Sequence, residues 1–123
     1  MITGLDHIAI IVSSEASIEF YKHLGFKEDV RHDRGYDILV FMSGYGITLE
    51  IFIDPTHPAR VNNPEAMGLR HLALNVDDVE KTVGELSGML DEYGIKVEPI
   101  REVNGLKFTF FKDPDGLPIE IRE

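Results

Sequence analysis

Cysteine and tryptophan are both absent from the 123 residues. Without cysteine there are no disulfides, no thiolate metal ligands and no cysteine nucleophile. No apolar run approaches the roughly 18 residues that a membrane-spanning helix needs, so no membrane partner is expected. The first residues pass straight into an alternating apolar pattern with no basic segment or small-residue cleavage site, and cytoplasmic location is the expectation. Basic residues are scarce, 12 Lys and Arg against 22 Asp and Glu, for a net charge of −10. Such a surface repels phosphate backbones and anionic lipid, which also argues against a nucleic-acid partner. The length suits one compact domain or two small modules packed as one, and a hydrophobic share of 43% supplies an ordinary core.

What the chain does have is a repeat. Gly4–Val12 reads Gly-Leu-Asp-His-Ile-Ala-Ile-Ile-Val, and Gly68–Val76 reads Gly-Leu-Arg-His-Leu-Ala-Leu-Asn-Val. They align without a gap at an offset of 64 (71 − 7), each with a histidine at its fourth position. Period two puts His7, Ala9 and Ile11 on one strand face and Ile8, Ile10 and Val12 on the other, which is aliphatic and suited to packing under a helix. Ser13 or Ser14 can cap that helix, which carries Phe20, Tyr21 and Leu24 and stops at Gly25. Strands are expected over 26–31, 37–42 and 47–53, the last two joined at Gly44-Tyr45-Gly46. Residues 54–68, with three prolines and two asparagines, read as a loop and a possible rim over a site.

The second half repeats the order. A strand over 69–76 places His71, Ala73 and Asn75 on one face. Asp77 or Asp78 caps a helix with Val79, Val83, Leu86, Leu90 and Tyr93 at helical spacing, ended by Gly94. Strands over 95–100, 107–112 and 117–122 follow, with Asp113-Pro114-Asp115-Gly116 as the last turn. The hairpins superpose at an offset of 70 (120 − 50), Phe41 on Phe111, Gly46 on Gly116, Glu50 on Glu120 and Ile51 on Ile121. The expected class is α+β: module one over 1–54, a linker loop over 55–67 and module two over 68–123, each strand–helix–strand–strand–strand.

Two histidines and two glutamates match twice. Glu50 and Glu120 each sit between aliphatic neighbours, and if those face the helices, the carboxylates turn to the face that carries His7 and His71. A partly desolvated carboxylate needs a counter-charge. Two imidazoles and two carboxylates make a neutral cage for a divalent cation, and without thiolate the set favours Ni²⁺, Co²⁺, Fe²⁺, Mn²⁺ or Zn²⁺. Taken singly, such a histidine is more often a core or surface residue than a ligand; the symmetric set of four carries the inference. Arg60 and Arg70 are candidates to hold a substrate anion, though Arg60 also reads as a loop charge and Arg70 as a solvent-facing strand residue. Asn75 is a candidate cavity residue. Phe108, Phe110 and Phe111 read as core, and His23, His32 and His57, which have no repeat partner, as surface.

The motifs Asp6-His7-Ile8-Ala9, Phe20-Tyr21-Lys22-His23-Leu24-Gly25-Phe26, Leu49-Glu50, Gly68-Leu69-Arg70-His71-Leu72-Ala73 and Asp113-Pro114-Asp115-Gly116 with Ile119-Glu120 resemble the vicinal oxygen chelate superfamily over essentially the whole chain. The resemblance implies two βαβββ modules forming an open, cup-shaped mixed sheet, with helices on the outer face and a divalent metal inside. The His-Glu-His-Glu set resembles bacterial glyoxalase I, a lactoylglutathione lyase whose metal is commonly nickel or cobalt. It implies a homodimer with His7 and Glu50 of one subunit facing the equivalents of His71 and Glu120 in the other. It also implies a carbon–sulfur lyase or isomerase reaction in which a proton moves through a cis-enediolate on the metal, with Glu120 as first choice for the proton shuttle and Glu50 as the symmetric second. Glyoxalase I carries an arginine where this chain has Ile11 and an asparagine where it has Asp54, so the glutathione clamp is missing. Other readings of the same fold are a dioxygenase, an epimerase or a non-catalytic ligand-sequestering protein.

Overall fold

The computed structural model describes all 123 residues. In chain order they form β1 (Ile8–Val12), α1 (Ala16–His23), β2 (Lys27–Asp33), β3 (Ile38–Gly44), β4 (Ile47–Ile53), β5 (Leu72–Asn75), α2 (Val79–Glu92), β6 (Arg101–Val103), β7 (Leu106–Lys112) and β8 (Pro118–Arg122). No helix is long and apolar enough to cross a membrane. The chain divides into two units, Met1–Pro58 and Ala59–Glu123, and each is a βαβββ module with its own four-stranded mixed sheet. The fold is α+β, as the repeat implies.

In the first unit the sheet order is β1-β4-β3-β2, with β1 parallel to β4 and the other pairs antiparallel. Ile10 stands opposite Ile51, which also stands opposite Val40, and Leu49 stands opposite Met42. All of these are buried, as are Ile18, Phe20 and Tyr21 of α1. Period two therefore gives the sheet one apolar face covered by the helix and one face carrying His7, Ala9 and Ile11. The second unit has the equivalent order β5-β8-β7-β6, again with its first strand parallel to its last. Val79, Leu90, Phe111, Ile119 and Ile121 are its buried apolar residues.

Both helices stop in the same way. Gly25 N–H donates to the Lys22 carbonyl and Phe26 N–H to the Tyr21 carbonyl; Gly94 and Ile95 repeat this with Asp91 and Leu90. Both glycines have positive φ, +105° and +68°, as this termination requires. At Gly25 the space is also taken, since a Cβ would collide with the Tyr45 hydroxyl, which donates to the Leu24 carbonyl. The starts differ. Asp78 caps α2 through Lys81 N–H at 3.0 Å, whereas at the start of α1 the Ser14 hydroxyl accepts from Ala16 N–H at a longer 3.3 Å.

Three expectations need correction. Residues 95–100 form no named strand, and β6 begins at Arg101. Pro99 has no N–H to donate, and the contact there is Glu98 N–H to the Phe110 carbonyl plus the Thr109 hydroxyl to the Glu98 carbonyl. The Asn104-Gly105 pair, with φ +52° and +79°, is a two-residue hairpin turn between β6 and β7 that the sequence reading passed over. Finally, Phe41 is opposite Glu50 while Phe110, not Phe111, is opposite Glu120. The last hairpin is one residue longer than its counterpart, so β7 matches β3 at an offset of 69 (110 − 41). Burial agrees: Met42 and Phe111 are both core.

The loop after β4 is divided at Pro58, and its later part is fastened within the second unit. The Asn62 side chain donates to the Gly116 carbonyl at 2.8 Å. Arg60 donates to Asn62 Oδ1 at 2.9 Å and to the Leu69 and Arg70 carbonyls at 2.9 and 3.1 Å.

Gly25→Ala is expected to destabilise by about 1–3 kcal/mol from the backbone alone, with a further loss from the collision. The urea midpoint should recover partly, not fully, when Tyr45→Phe is added. A second expectation concerns Glu28. Its hydrogen bond from Arg31, aided by that residue's charge and by Lys22, holds the carboxyl below the usual range. A lowered carboxyl stabilises above its unfolded pKa, about 4.3, and the contribution is lost as pH falls through the folded value. The gap in urea midpoint between the parent and Arg31→Met should therefore shrink below about pH 4.

Candidate metal centre

Each histidine is placed by the parallel pairing of its unit's first and last strands. Ala9 is opposite Glu50 and Ala73 is opposite Glu120. His7 and His71 lie two residues earlier, diagonal to the glutamates on the same open face. The register is the same in both units.

In the first unit the His7 ring stands between two carboxylates. Nδ1 is 2.6 Å from Asp6 Oδ1 and Nε2 is 2.7 Å from Glu50 Oε2. A neutral imidazole has only one N–H, so both contacts together require a second proton or a shared cation. The Asp6 hydrogen bond, chiefly, raises the His7 pKa above its ordinary value; desolvation opposes it and the Glu50 charge adds to it. The ligand atoms of Asp6, His7 and Glu50 all lie within 4.8 Å of one another, the chain's one such cluster.

These residues fit a divalent ion. Two ligands about 2.1 Å from one ion at right angles are about 3 Å apart, so the His7–Glu50 contact needs to open only slightly. A carboxylate on Nδ1 fixes the tautomer that leaves the Nε2 lone pair for a metal. Two ligands do not by themselves complete a transition-ion site.

In the second unit the corresponding pair has different neighbours. His71 Nδ1 is 3.3 Å from Arg70 Nη1, and its ring stands edge-on to Phe110 with centroids 5.2 Å apart. Glu120 is buried, and Arg122 Nη1 lies 3.4 Å from its Oε1, which supplies the counter-charge burial demands. Because arginine only donates, His71 must turn from Arg70 to present Nε2 as a free lone pair.

Among the other sequence candidates, Asn75 is exposed on this face, opposite Arg122 in the strand ladder. Arg70 is paired with Glu65 at 2.8 and 3.1 Å. Arg60 is committed to its loop rather than open to a ligand. Ile11 is 51% exposed on the open face of β1. Asp54 accepts from the Thr56 hydroxyl and N–H, which hold its carboxyl below the usual range. His23, His32 and His57 are exposed. Two residues of the site escaped the sequence reading. Period two assigns Asp6 to the face opposite His7, so alternation gave no sign that its carboxylate reaches the His7 ring. Phe110 was hidden by the extra hairpin residue.

The comparisons with known proteins agree with this architecture. The chain is 44% identical to the uncharacterized protein YwkD of Bacillus subtilis, covering 100% of this chain and 98% of that one. The crystal structure of a glyoxalase family protein from Enterococcus faecalis is 39% identical with a TM-score of 0.83, covering 98% of this chain and 97% of that one. A structure of the fosfomycin resistance protein FosX from Listeria monocytogenes, complexed with Mn(II) and sulfate, shares the fold at 20% identity and a TM-score of 0.72, covering 99% and 93%. A family model matches residues 4–121, and the chain belongs to the Glyoxalase/Bleomycin resistance protein/Dioxygenase superfamily.

Proposed function

We propose that this protein is a divalent-metal-dependent, glyoxalase-like lyase or isomerase acting in the cytoplasm. It moves a proton between adjacent carbons of a small hydroxycarbonyl or thiol-adduct substrate. The observation that carries this reading is His7 held between Asp6 and Glu50, with the same histidine–glutamate register at His71 and Glu120. Those four residues would hold the ion, and the nitrogen and oxygen donors suit Ni²⁺ or Co²⁺, favoured by the resemblance to glyoxalase I, as well as Zn²⁺, Fe²⁺ or Mn²⁺. We assign the four-ligand set to a homodimer, the His7–Glu50 half of one subunit completed by the His71–Glu120 half of another. When bound, such an ion polarises substrate oxygens and stabilises developing negative charge.

The chain's own residues divide the remaining work. Each glutamate has one oxygen engaged, Glu50 Oε2 by His7 and Glu120 Oε1 by Arg122, which leaves the other oxygen of each to take a proton and return it. By the resemblance to glyoxalase I we take Glu120 as the general base and acid, with Glu50 second. Asp6 orients His7. Asn75 contacts substrate from the open face, whereas Arg60, expected from the sequence to hold a substrate anion, braces its loop instead. Ile11 and Asp54 offer glutathione no matching polar groups, which favours a smaller thiol adduct or a hydroxycarbonyl compound.

Protein purified without chelator should carry about one divalent ion per chain, since each chain supplies two half-sites. Metal-free protein that rebinds none would end this reading. Asp6→Ala should weaken metal affinity about 10–100-fold by equilibrium dialysis. Glu120→Gln should stay folded and lose about 10²–10⁴-fold in turnover on methylglyoxal hemithioacetals, assayed with glutathione and with other thiols. Unchanged turnover would move the proton shuttle to Glu50.

A further inference from the structure

The second unit contains a recess that no step above uses. It encloses about 200 Å³, and its lining includes Arg70, Arg101, Lys112, Phe110 and Pro118. That is below the about 300–1,000 Å³ of sites for drug-sized ligands, so its occupant is small. Phe110 is opposite Glu120 and Lys112 is opposite Pro118 on the same pair of strands. Period two therefore puts the recess on the face that carries Glu120, and the Phe110 ring touches His71.

The charges of the recess run against those of the chain. Arg70, Arg101 and Lys112 face Glu65 and Glu98, an excess of one cation in a protein of net charge −10. Arg70 is taken by Glu65 through two short contacts. Arg101 is only loosely paired, its Nη2 3.9 Å from Glu98 Oε1, and its guanidinium lies over the Phe108 and Phe110 rings at 5.3 and 5.9 Å. Lys112 is exposed and pairs with no carboxylate.

The geometry points to a binding site for a small organic carboxylate, with its charge between Lys112 and Arg101 and its flat apolar body against Phe110 and Pro118. This deepens the reading above, on which it rests for the reaction but not for binding: the substrate is a hydroxycarbonyl or thiol adduct that carries a carboxylate. The recess meets the charge by ionic contact, and the rings exclude water from the remainder, which a fully hydrated inorganic anion would not exploit. Neither Arg101 nor Lys112 stands out in the sequence, because nothing there brings β6 and β7 to one pocket.

The test titrates benzoate and neutral benzamide into the full-length protein after chelation and dialysis, followed by backbone amide shifts. With no ion present, a carboxylate cannot bind by metal ligation. Benzoate should move the resonances of Arg101, Phe110 and Lys112 saturably, and benzamide should bind at least about 10-fold more weakly. Lys112→Glu should weaken benzoate by at least about 10-fold, while Lys112→Arg keeps it within a few-fold. Lys112 is exposed, so both variants should fold, and Arg101→Gln gives an independent second reduction. Equal binding of benzoate and benzamide, no saturable shift, or benzoate binding unchanged by Lys112→Glu would overturn the proposal. Benzoate binding to protein that never takes up a metal would remove the metal reading and leave the recess standing.

Discussion

The parallel pairing of the first strand with the last in each unit is the constraint on which the candidate centre depends. Parallel neighbours cannot be joined by a short turn, so the chain must leave β1, form α1 and two further strands, and return as β4. That path covers one sheet face with a helix and leaves the other open. It also fixes which residues are diagonal neighbours, and His7 with Glu50 is one such pair. A slip of one residue would carry every side chain of β1 to the opposite face. Burial prevents the slip. Each fully buried side chain such as Val12 or Ile51 contributes about 1.5–3 kcal/mol. A His–carboxylate contact open to solvent contributes far less. The aliphatic face positions the polar one, and the centre is a consequence of the core.

That dependence explains what the sequence made legible. Ile8, Ile10 and Val12 announce their face by alternation, and His7 follows from it. Gly25 and Gly94 announce helix ends because the backbone there needs positive φ. Glu50 and Glu120 follow because their neighbours are core residues on strands of known phase. Each of these rests on a local period or a local backbone demand.

The unread features are those that local periods do not reach. Asp6 lies one residue before His7, and alternation puts neighbours on opposite faces, so it gives no sign of the contact between them. One extra residue in the second hairpin shifts β7 relative to β3, moving Phe110 onto the open face and Phe111 into the core. The strand expected over 95–100 had the right composition, but Pro99 denies it a ladder donor. Arg60 looked free in sequence because its acceptors are an asparagine side chain and two backbone carbonyls, which carry no charge to signal them.

The repeat is closer in backbone than in charge, and the difference has a physical direction. The His7 half carries two carboxylates, Asp6 and Glu50, around one imidazole. Around the His71 half, Arg70 and Arg122 stand beside the histidine and Glu120, and Glu65 offsets only Arg70. Two copies of the first half brought together would set four carboxylates against two imidazoles and repel strongly in a partly desolvated space. The second half sets two guanidiniums against two carboxylates and is close to neutral. One half of each kind halves that excess of carboxylate, and differences of this sort bias partners and register. The electrostatics therefore favour joining unlike halves, which is the pairing the proposed homodimer requires. The near-neutral half is also the one that borders the recess of Arg101 and Lys112. In the proposed function the ion would be drawn first to the carboxylates of the His7 half and a substrate carboxylate to Arg101 and Lys112, so the two would not compete for the same residues.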